Sequence, residues 1–259
     1  MKTRILALLA LAGATASLPA VVLDDGHLDI ALNYSGGWTA GLHHDDSGQT
    51  YEPADAVLYA STAAYPAGSG ISRPAGSTWD FIGVGAGETF YFFPQNQQSG
   101  ILWPGFSSEE TDPGTLASYA ETDPRVSSGA APWITVQLTD VHYYGEGDGA
   151  FSLWSTGTFG APTVWMSTAN GGITASDKFL FLEGGHTHMN WGFGDVGFYE
   201  LTFTVSAFLN DGLMTPVSSE VTLQFGIGTT VIPEPETLGL VVLAAAFLAL
   251  RKRKAAASR

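Results

Sequence analysis

The 259-residue chain contains no cysteine and is poor in basic residues, with 10 Lys and Arg against 25 Asp and Glu. The absence of cysteine excludes disulfide bonds, thiolate metal sites and cysteine nucleophiles. The formal net charge of −15 excludes nucleic acid as a partner, because the phosphate backbone would be repelled. A hydrophobic content of 45% and 32 glycines indicate a folded body with many turns, not a disordered chain.

Long apolar runs are confined to the two ends of the chain. At the start, Lys2 and Arg4 precede an apolar run at residues 5–12, and small residues in an A-x-A arrangement end at Ala16. This order is typical of a secretory signal peptide. We therefore predict a leader over residues 1–16 that is cleaved after Ala16, and export from the cytoplasm.

The second apolar run lies close to the end of the chain, at residues 238–250. As a helix it would span roughly 20 Å, which is shorter than the roughly 30 Å hydrocarbon core of a bilayer. Flanking residues and snorkelling lysines make up part of the difference, so we predict a single hydrophobic helix in contact with the membrane. A basic block follows the run, and by the positive-inside rule it would stay in the cytoplasm. Its residues are Arg251, Lys252, Arg253 and Lys254.

A short motif, Pro233-Glu234-Pro235, precedes this apolar run. The motif, the run and the basic block together resemble the PEP-CTERM sorting signal of exported Gram-negative envelope proteins, over residues 231–259 alone. The resemblance implies recognition by an exosortase-type membrane protease near the motif and a transient anchor at 238–250. It also implies release or transfer to the outer surface of the cell. The motif departs from the common pattern at Glu236, where Ser or Ala is usual.

Removal of both terminal signals changes the charge of the remaining body. Only Arg73, Arg125 and Lys178 would remain as cations, whereas all 25 acidic residues lie between Asp24 and Glu236. The formal charge of that stretch is −22, from three positive and 25 negative side chains. Such a body would remain soluble outside the cell and attract divalent cations weakly.

The region between the signals has the pattern of β-strands. Residues 27–34 alternate between apolar and polar side chains, and residues 198–209 and 217–225 predict two long final strands. Short strands separated by turn residues favour an antiparallel β-sandwich of jelly-roll or immunoglobulin-like type. We predict one such all-β domain over residues 17–230. Residues 104–132 are polar and predict a long loop, either a functional cover or a mobile insertion.

Histidine is the residue type that points to site chemistry. If His186-Thr187-His188 is extended, its two imidazoles share a face with Cβ atoms roughly 7 Å apart. They could then converge on one ion at about 2.0–2.1 Å from each nitrogen. Asn190 would lie on the same face and could orient a ligand or hold a water molecule. An H-x-H pair is also common on strand surfaces, so a third ligand is needed to decide.

Four other histidines could supply that ligand. His27 opens the first alternating strand, on the face opposite its apolar residues. His43 and His44 flank an acidic loop, Asp45-Asp46-Ser47-Gly48, which fits a solvated turn better than a calcium site. His142 lies beside two tyrosines, where we expect an ordinary, partly buried histidine.

Four segments spread over residues 22–205 carry a second resemblance. They are Asp25–Ile30; Trp79–Val84; Phe93–Gln95 with Gly100–Phe106; and His186–Trp191 with Gly197–Phe203. These segments resemble the choice-of-anchor M domain, which is related to an actinobacterial surface-anchored repeat found with metal-type transporter genes. The resemblance implies surface display and a metal role, and His27, His186 and His188 match the histidines of that family by position.

Three functions remain open at this point. We favour a non-enzymatic, displayed β-sandwich that binds Zn²⁺ or another transition ion through His27, His186 and His188. A His-metal hydrolase is the weaker alternative, because the first acid after His188 is Asp195, too late for the cupin pattern, and no general base stands out. A module that adheres to carbohydrate or exopolysaccharide is the third, with sugar stacking on tryptophan rings. Its candidates are Trp103, Trp154 and Trp165.

Overall fold

The computed structural model describes residues 21–127, 129–157 and 160–231. The predicted leader, the sorting motif, the apolar run at 238–250 and the basic block all lie outside these residues. Within the described residues, no helix is both long enough and apolar enough to cross a membrane.

Strands dominate the described residues, so the predicted all-β class is confirmed. The two helical elements there are single 3₁₀ segments, Pro53–Asp55 and Ser77–Ile82. The first nine strands are β1 (Val21–Leu23), β2 (His27–Tyr34), β3 (Trp38–His44), β4 (Gln49–Tyr51), β5 (Ala56–Ala60), β6 (Gly70–Ser72), β7 (Thr89–Phe93), β8 (Trp103–Ser107) and β9 (Tyr119–Ala120). The others are β10 (Ala130–Ala131), β11 (Trp133–Gly145), β12 (Phe151–Thr156), β13 (Pro162–Ser167), β14 (Lys178–Leu182), β15 (His186–His188), β16 (Asn190–Phe193), β17 (Gly197–Phe208) and β18 (Pro216–Ile227).

Three sheets form the body. The largest has six strands in the order β1-β5-β18-β17-β11-β14. Two five-stranded sheets have the orders β15-β8-β2-β3-β4 and β13-β12-β16-β7-β6. Strands β9 and β10 form a separate two-stranded ribbon.

The core lies where both five-stranded sheets pack on one face of the six-stranded sheet. Phe203 in β17 contacts Phe106 of β8 and Trp191 of β16, with ring centroids 6.2 and 6.3 Å apart. Trp191 also packs on Phe225 of β18 at 5.5 Å. All four side chains are fully buried. These contacts give the molecule its sandwich-like layering.

The pairing is mixed and not purely antiparallel, which corrects the prediction. β1 pairs with β5, β5 with β18, and β2 with β8, each in parallel. Alternation of apolar residues reports which face of a strand is buried, but it carries no information about the direction of the neighbouring strand. Parallel partners are also far apart along the chain, so no hairpin turn indicates them.

The prediction of a long loop at residues 104–132 is also wrong for its first residues, 104–107. Residues 103–107 form β8, whose Phe106 is fully buried. β8 is a central strand, paired on one side with β2 and on the other with β15. Proline and glycine in Trp103-Pro104-Gly105, and the polar residues that follow, hid the strand, which nevertheless determines where the histidines lie.

A change of sheet occurs at Met189, between β15 and β16. β15 pairs with β8 in one five-stranded sheet, whereas β16 pairs with β12 and β7 in the other. Met189 is 1% exposed and anchors the change in the core. The two sheets therefore share one continuous segment beside the histidine pair.

Candidate metal centre

Strands β2 and β15 lie on either side of β8 and present polar side chains on the outer face of their sheet. In β2, Leu28 and Ile30 are buried in the core, so His27 and Asp29 project from the opposite face. In β15, His186 and His188 likewise share one face. The four side chains thus rise from one sheet surface above β8.

The register brings the two strands together at Gly105. Gly105 pairs with Asp29 on one side and with His188 on the other, so the three residues form one row across the sheet. A Cβ atom on Gly105 would lie 2.7 Å from Cε1 and Nδ1 of His188 and from the carbonyl oxygen of Thr187. The missing side chain therefore lets the imidazole lie across the backbone of β8.

The three predicted histidines meet through their Nε2 atoms. His27 Nε2 lies 3.2 Å from His186 Nε2 and 3.0 Å from His188 Nε2. His186 Nε2 and His188 Nε2 are 2.9 Å apart. Residues separated by about 160 positions in the sequence thus converge on one point, as the ligand hypothesis requires.

Asp29 joins this group, although the sequence prediction did not include it. Its Oδ1 lies 2.9 Å from His186 Nε2 and 3.3 Å from His27 Nε2. The oxygen is buried and makes no hydrogen bond of acceptable geometry among the described residues. Burial raises the pKa of Asp29, and the nearby His186 and His27 oppose that rise. The same two-residue periodicity that paired His186 with His188 would have paired His27 with Asp29.

Asp45 orients His27. Its Oδ2 lies 2.5 Å from His27 Nδ1, and this hydrogen bond lowers the pKa of Asp45. If Nδ1 donates the proton, the Nε2 lone pair of His27 points into the cluster. A carboxylate that fixes the far nitrogen of a histidine is a frequent companion of metal-ligating imidazoles. The acidic loop expected to be only a solvated turn therefore contacts the site.

Trp103 supports His188 from β8. The two rings stack with centroids 3.6 Å apart and an angle of 12° between their planes. Burial, and then the charges of His186 and His27, lower the pKa of His188 to about 4. The ring is therefore neutral at neutral pH and can donate a lone pair to an ion.

Asn190 contacts the histidines only through other residues. Its side chain accepts a hydrogen bond from the Gln95 backbone amide at 2.9 Å, and it donates to Trp154 and Thr156. The Gln95 carbonyl in turn accepts a hydrogen bond from Trp103 Nε1. Asn190 was predicted to share the face of His186 and His188, but it lies in the other five-stranded sheet because the chain changes sheet at Met189. Asn190 instead fixes the segment under Trp103.

The other histidines lie outside the cluster. His43 contacts Thr50 at 2.9 Å and Asp45 at 3.4 Å, so it borders the site through the same aspartate that orients His27. His44 Nε2 donates to the Asp25 carbonyl oxygen at 2.9 Å. His142 stacks on Tyr144 on a different sheet, with ring centroids 4.3 Å apart.

The tryptophans considered for sugar stacking are occupied within the fold. Trp154 and Trp165 are 3% and 7% exposed and belong to the hydrophobic clusters of the body. Trp103 is half-buried under His188. Trp154 and Trp165 therefore offer no exposed face for a sugar, and His188 covers one face of Trp103.

The donor set suits a divalent transition ion. Among the described residues, His27, Asp29, His186 and His188 form a group whose ligand atoms all lie within 4.8 Å of one another. Three imidazoles and one carboxylate are ligands that such ions accept. Comparisons with protein-family models, curated proteins and solved structures give no significant match to this chain.

Proposed function

We propose that this protein is exported to the cell envelope, where it binds one divalent transition ion, Zn²⁺ or a similar ion, through His27, Asp29, His186 and His188. The observation that carries the proposal is the convergence of three Nε2 atoms and one buried carboxylate oxygen on a single point. The proposed role is binding and display, not catalysis.

The arrangement is hard to explain as a hydrogen-bonded cluster alone. Each Nε2 atom carries either an N–H or a lone pair, so among three mutually close Nε2 atoms at least two carry the same group and face each other without a hydrogen bond. Lone pairs at 2.9–3.2 Å repel unless a proton or a cation lies between them. A proton satisfies one pair of nitrogens, whereas an ion at the centre satisfies all three and Asp29 as well.

Export and sorting rest on the sequence signals at 1–16 and 231–259. The tail supports an exosortase-type protease as a partner and transient contact with the membrane. The resemblance to the choice-of-anchor M domain supports display at the surface, and the histidines that match by position are His27, His186 and His188.

Metal analysis of the purified full chain tests the binding proposal. After incubation with Zn²⁺ and dialysis, we expect about one ion per chain, because the four ligands form one site. The double change His186→Ala and His188→Ala removes two ligands and should abolish retention. His142→Ala is the matched control, since that histidine lies on another sheet, and it should retain the ion. A folded native chain that retains no Zn²⁺, Co²⁺ or Mn²⁺ would contradict the proposal.

A further inference from the structure

The six distances among the four ligand atoms discriminate between coordination geometries. Five of them lie between 2.9 and 3.3 Å. The sixth pair, His188 with Asp29, forms no ion pair within 4.0 Å, although its atoms lie within 4.8 Å of each other. One distance is therefore distinctly longer than the other five.

A tetrahedral site does not produce this pattern. With bonds of about 2.0–2.1 Å, all six ligand–ligand distances in a tetrahedron would be equal, at about 3.3–3.4 Å. In an octahedron with bonds of about 2.1–2.2 Å, neighbouring ligands lie about 3.0–3.1 Å apart and opposite ligands about 4.2–4.4 Å apart. The observed five short distances and one long distance agree with four corners of an octahedron.

The long distance joins the two ligands that share a row of the sheet. Asp29 and His188 belong to the same row of the sheet and approach from the two sides of β8. They face each other across Gly105, with two strand spacings between their backbones, roughly 10 Å. His27 and His186 come from different rows and lie next to each other, 3.2 Å apart.

We infer that the site is six-coordinate and holds its ion with two adjacent positions left for a small molecule that presents two oxygen donors. These positions are opposite His27 and His186. Because all four ligands rise from the outer face of one sheet, the positions opposite them point away from its backbone. This inference depends on the proposed ion binding and adds the kind of small molecule that the bound ion would accept.

The surroundings limit the charge of that molecule. The carboxylates of Asp45 and Glu109 border the site with 46% and 56% of their side chains exposed. Glu109 Oε2 lies 3.8 Å from His186 Nδ1. A dianion would be repelled by these groups and by the acidic body, so the fitting ligands are neutral or singly charged chelators.

Cobalt(II) spectroscopy of the full chain tests the geometry separately from binding. Six-coordinate Co²⁺ absorbs weakly in the visible range, whereas tetrahedral Co²⁺ gives intense bands at longer wavelength. We expect bound Co²⁺ with weak bands. Bound Co²⁺ with intense tetrahedral bands would overturn this inference and leave the proposed binding intact. Absence of bound Co²⁺ and Zn²⁺ would overturn the binding proposal itself.

A second measurement tests the two open positions. The Co²⁺-loaded chain is titrated with acetohydroxamic acid, which loses one proton and binds as a singly charged two-oxygen chelator, and with acetate, which binds with the same charge and serves as the weakly chelating control. We expect acetohydroxamate to change the spectrum at a concentration at least roughly tenfold lower than acetate, because it occupies both positions. Equal concentrations for the two ligands, or no spectral change, would overturn the inference.

Discussion

Gly105 illustrates, at the scale of single residues, how a missing side chain can position a functional one. The residue makes no contact with an ion and supplies no polar side-chain atom. Its lack of a Cβ atom nevertheless determines that His188 can lie across β8, opposite Asp29 and in contact with Trp103. We regard Gly105 as a positioning residue of the metal centre.

Gly105→Ala should weaken ion binding while the chain remains folded. The added methyl group would lie 2.7 Å from the His188 ring and from the Thr187 carbonyl oxygen, so the ring has to move. Displaced ligand geometry typically costs about 10- to 100-fold in metal affinity. Isothermal titration with Zn²⁺, together with thermal unfolding of the metal-free chain, measures both effects.

Gly37→Ala is the matched control for this change. An added Cβ at Gly37 meets no atom within 4 Å, and the residue is not held at positive φ. Its Zn²⁺ affinity should equal that of the native chain. Native affinity in Gly105→Ala would show that the register at Gly105 does not position His188.

Part of this site could be predicted from single residues, and part could not. The two-residue spacing predicted that His186 and His188 share a face, and the same rule applied to β2 leads to Asp29. Asp45 and Gly105 escaped prediction because their roles depend on which strands are neighbours. That information resides in long-range packing and not in the local alternation of side chains.

At the scale of secondary structure, β15 is the element most dependent on the site. It has three residues and pairs only with β8, at the edge of its sheet. Its neighbour in the chain, β16, is fully buried in the other five-stranded sheet. An ion held by His186 and His188 on one side and by His27 and Asp29 on the other would tie β15 to β2 across β8.

Hydrogen exchange should therefore slow locally when the ion binds. At free Zn²⁺ of about 100 times Kd, binding stabilises the liganded state by about 2.7 kcal/mol. We expect peptides that cover β15 and the start of β2 to exchange up to about 100-fold more slowly, the factor that corresponds to this free energy, as measured by mass spectrometry. β4, at the opposite edge of the same sheet, is the internal control and should change little. Equal slowing of exchange in all strands of this sheet would contradict a local connection between β15 and β2.

Strand positions were predictable where alternation is strong. β2 begins and ends where the sequence placed it, and the long strands β17 and β18 agree within two residues at each end. β8 was missed because Trp103-Pro104-Gly105 contains proline and glycine, which usually indicate a turn. Trp103 donates its backbone N–H towards β2, so an N–H at position 104 would face the other side, beyond the pairing with β15 that begins at Gly105; proline is therefore tolerated there.

At the scale of the whole molecule, the basic residues of the body are already engaged. Arg73 pairs with Asp80, and Arg125 pairs with Asp123, whose pKa falls to about 2 chiefly because of that hydrogen bond. Lys178 lies 3.8 Å from Glu121. The remaining acidic side chains therefore give the described body a strongly negative field, which extends to the metal centre.

The mature form of such a molecule should lack residues 1–16. Cleavage after Ala16 follows from the small residues before the predicted site. We expect the exported protein to begin at Ser17, as read from intact mass and from its N-terminal peptide. Replacing Ala16 with a bulky residue such as Tyr should leave the leader attached, whereas the conservative change Ala16→Gly should not. Recovery of the leader on the native exported chain would contradict the prediction.

The distance along the chain between the ligands has a consequence for when the ion can be acquired. His27 emerges early in synthesis, and His186 follows it by 159 positions. A partly synthesised chain that ends before His188 does not possess the complete site. If residues 1–16 act as the predicted secretory leader and the chain crosses the membrane unfolded, the imidazoles would first come together on the far side of the membrane. The occupant would then reflect the metal supply of the envelope and not that of the cytoplasm.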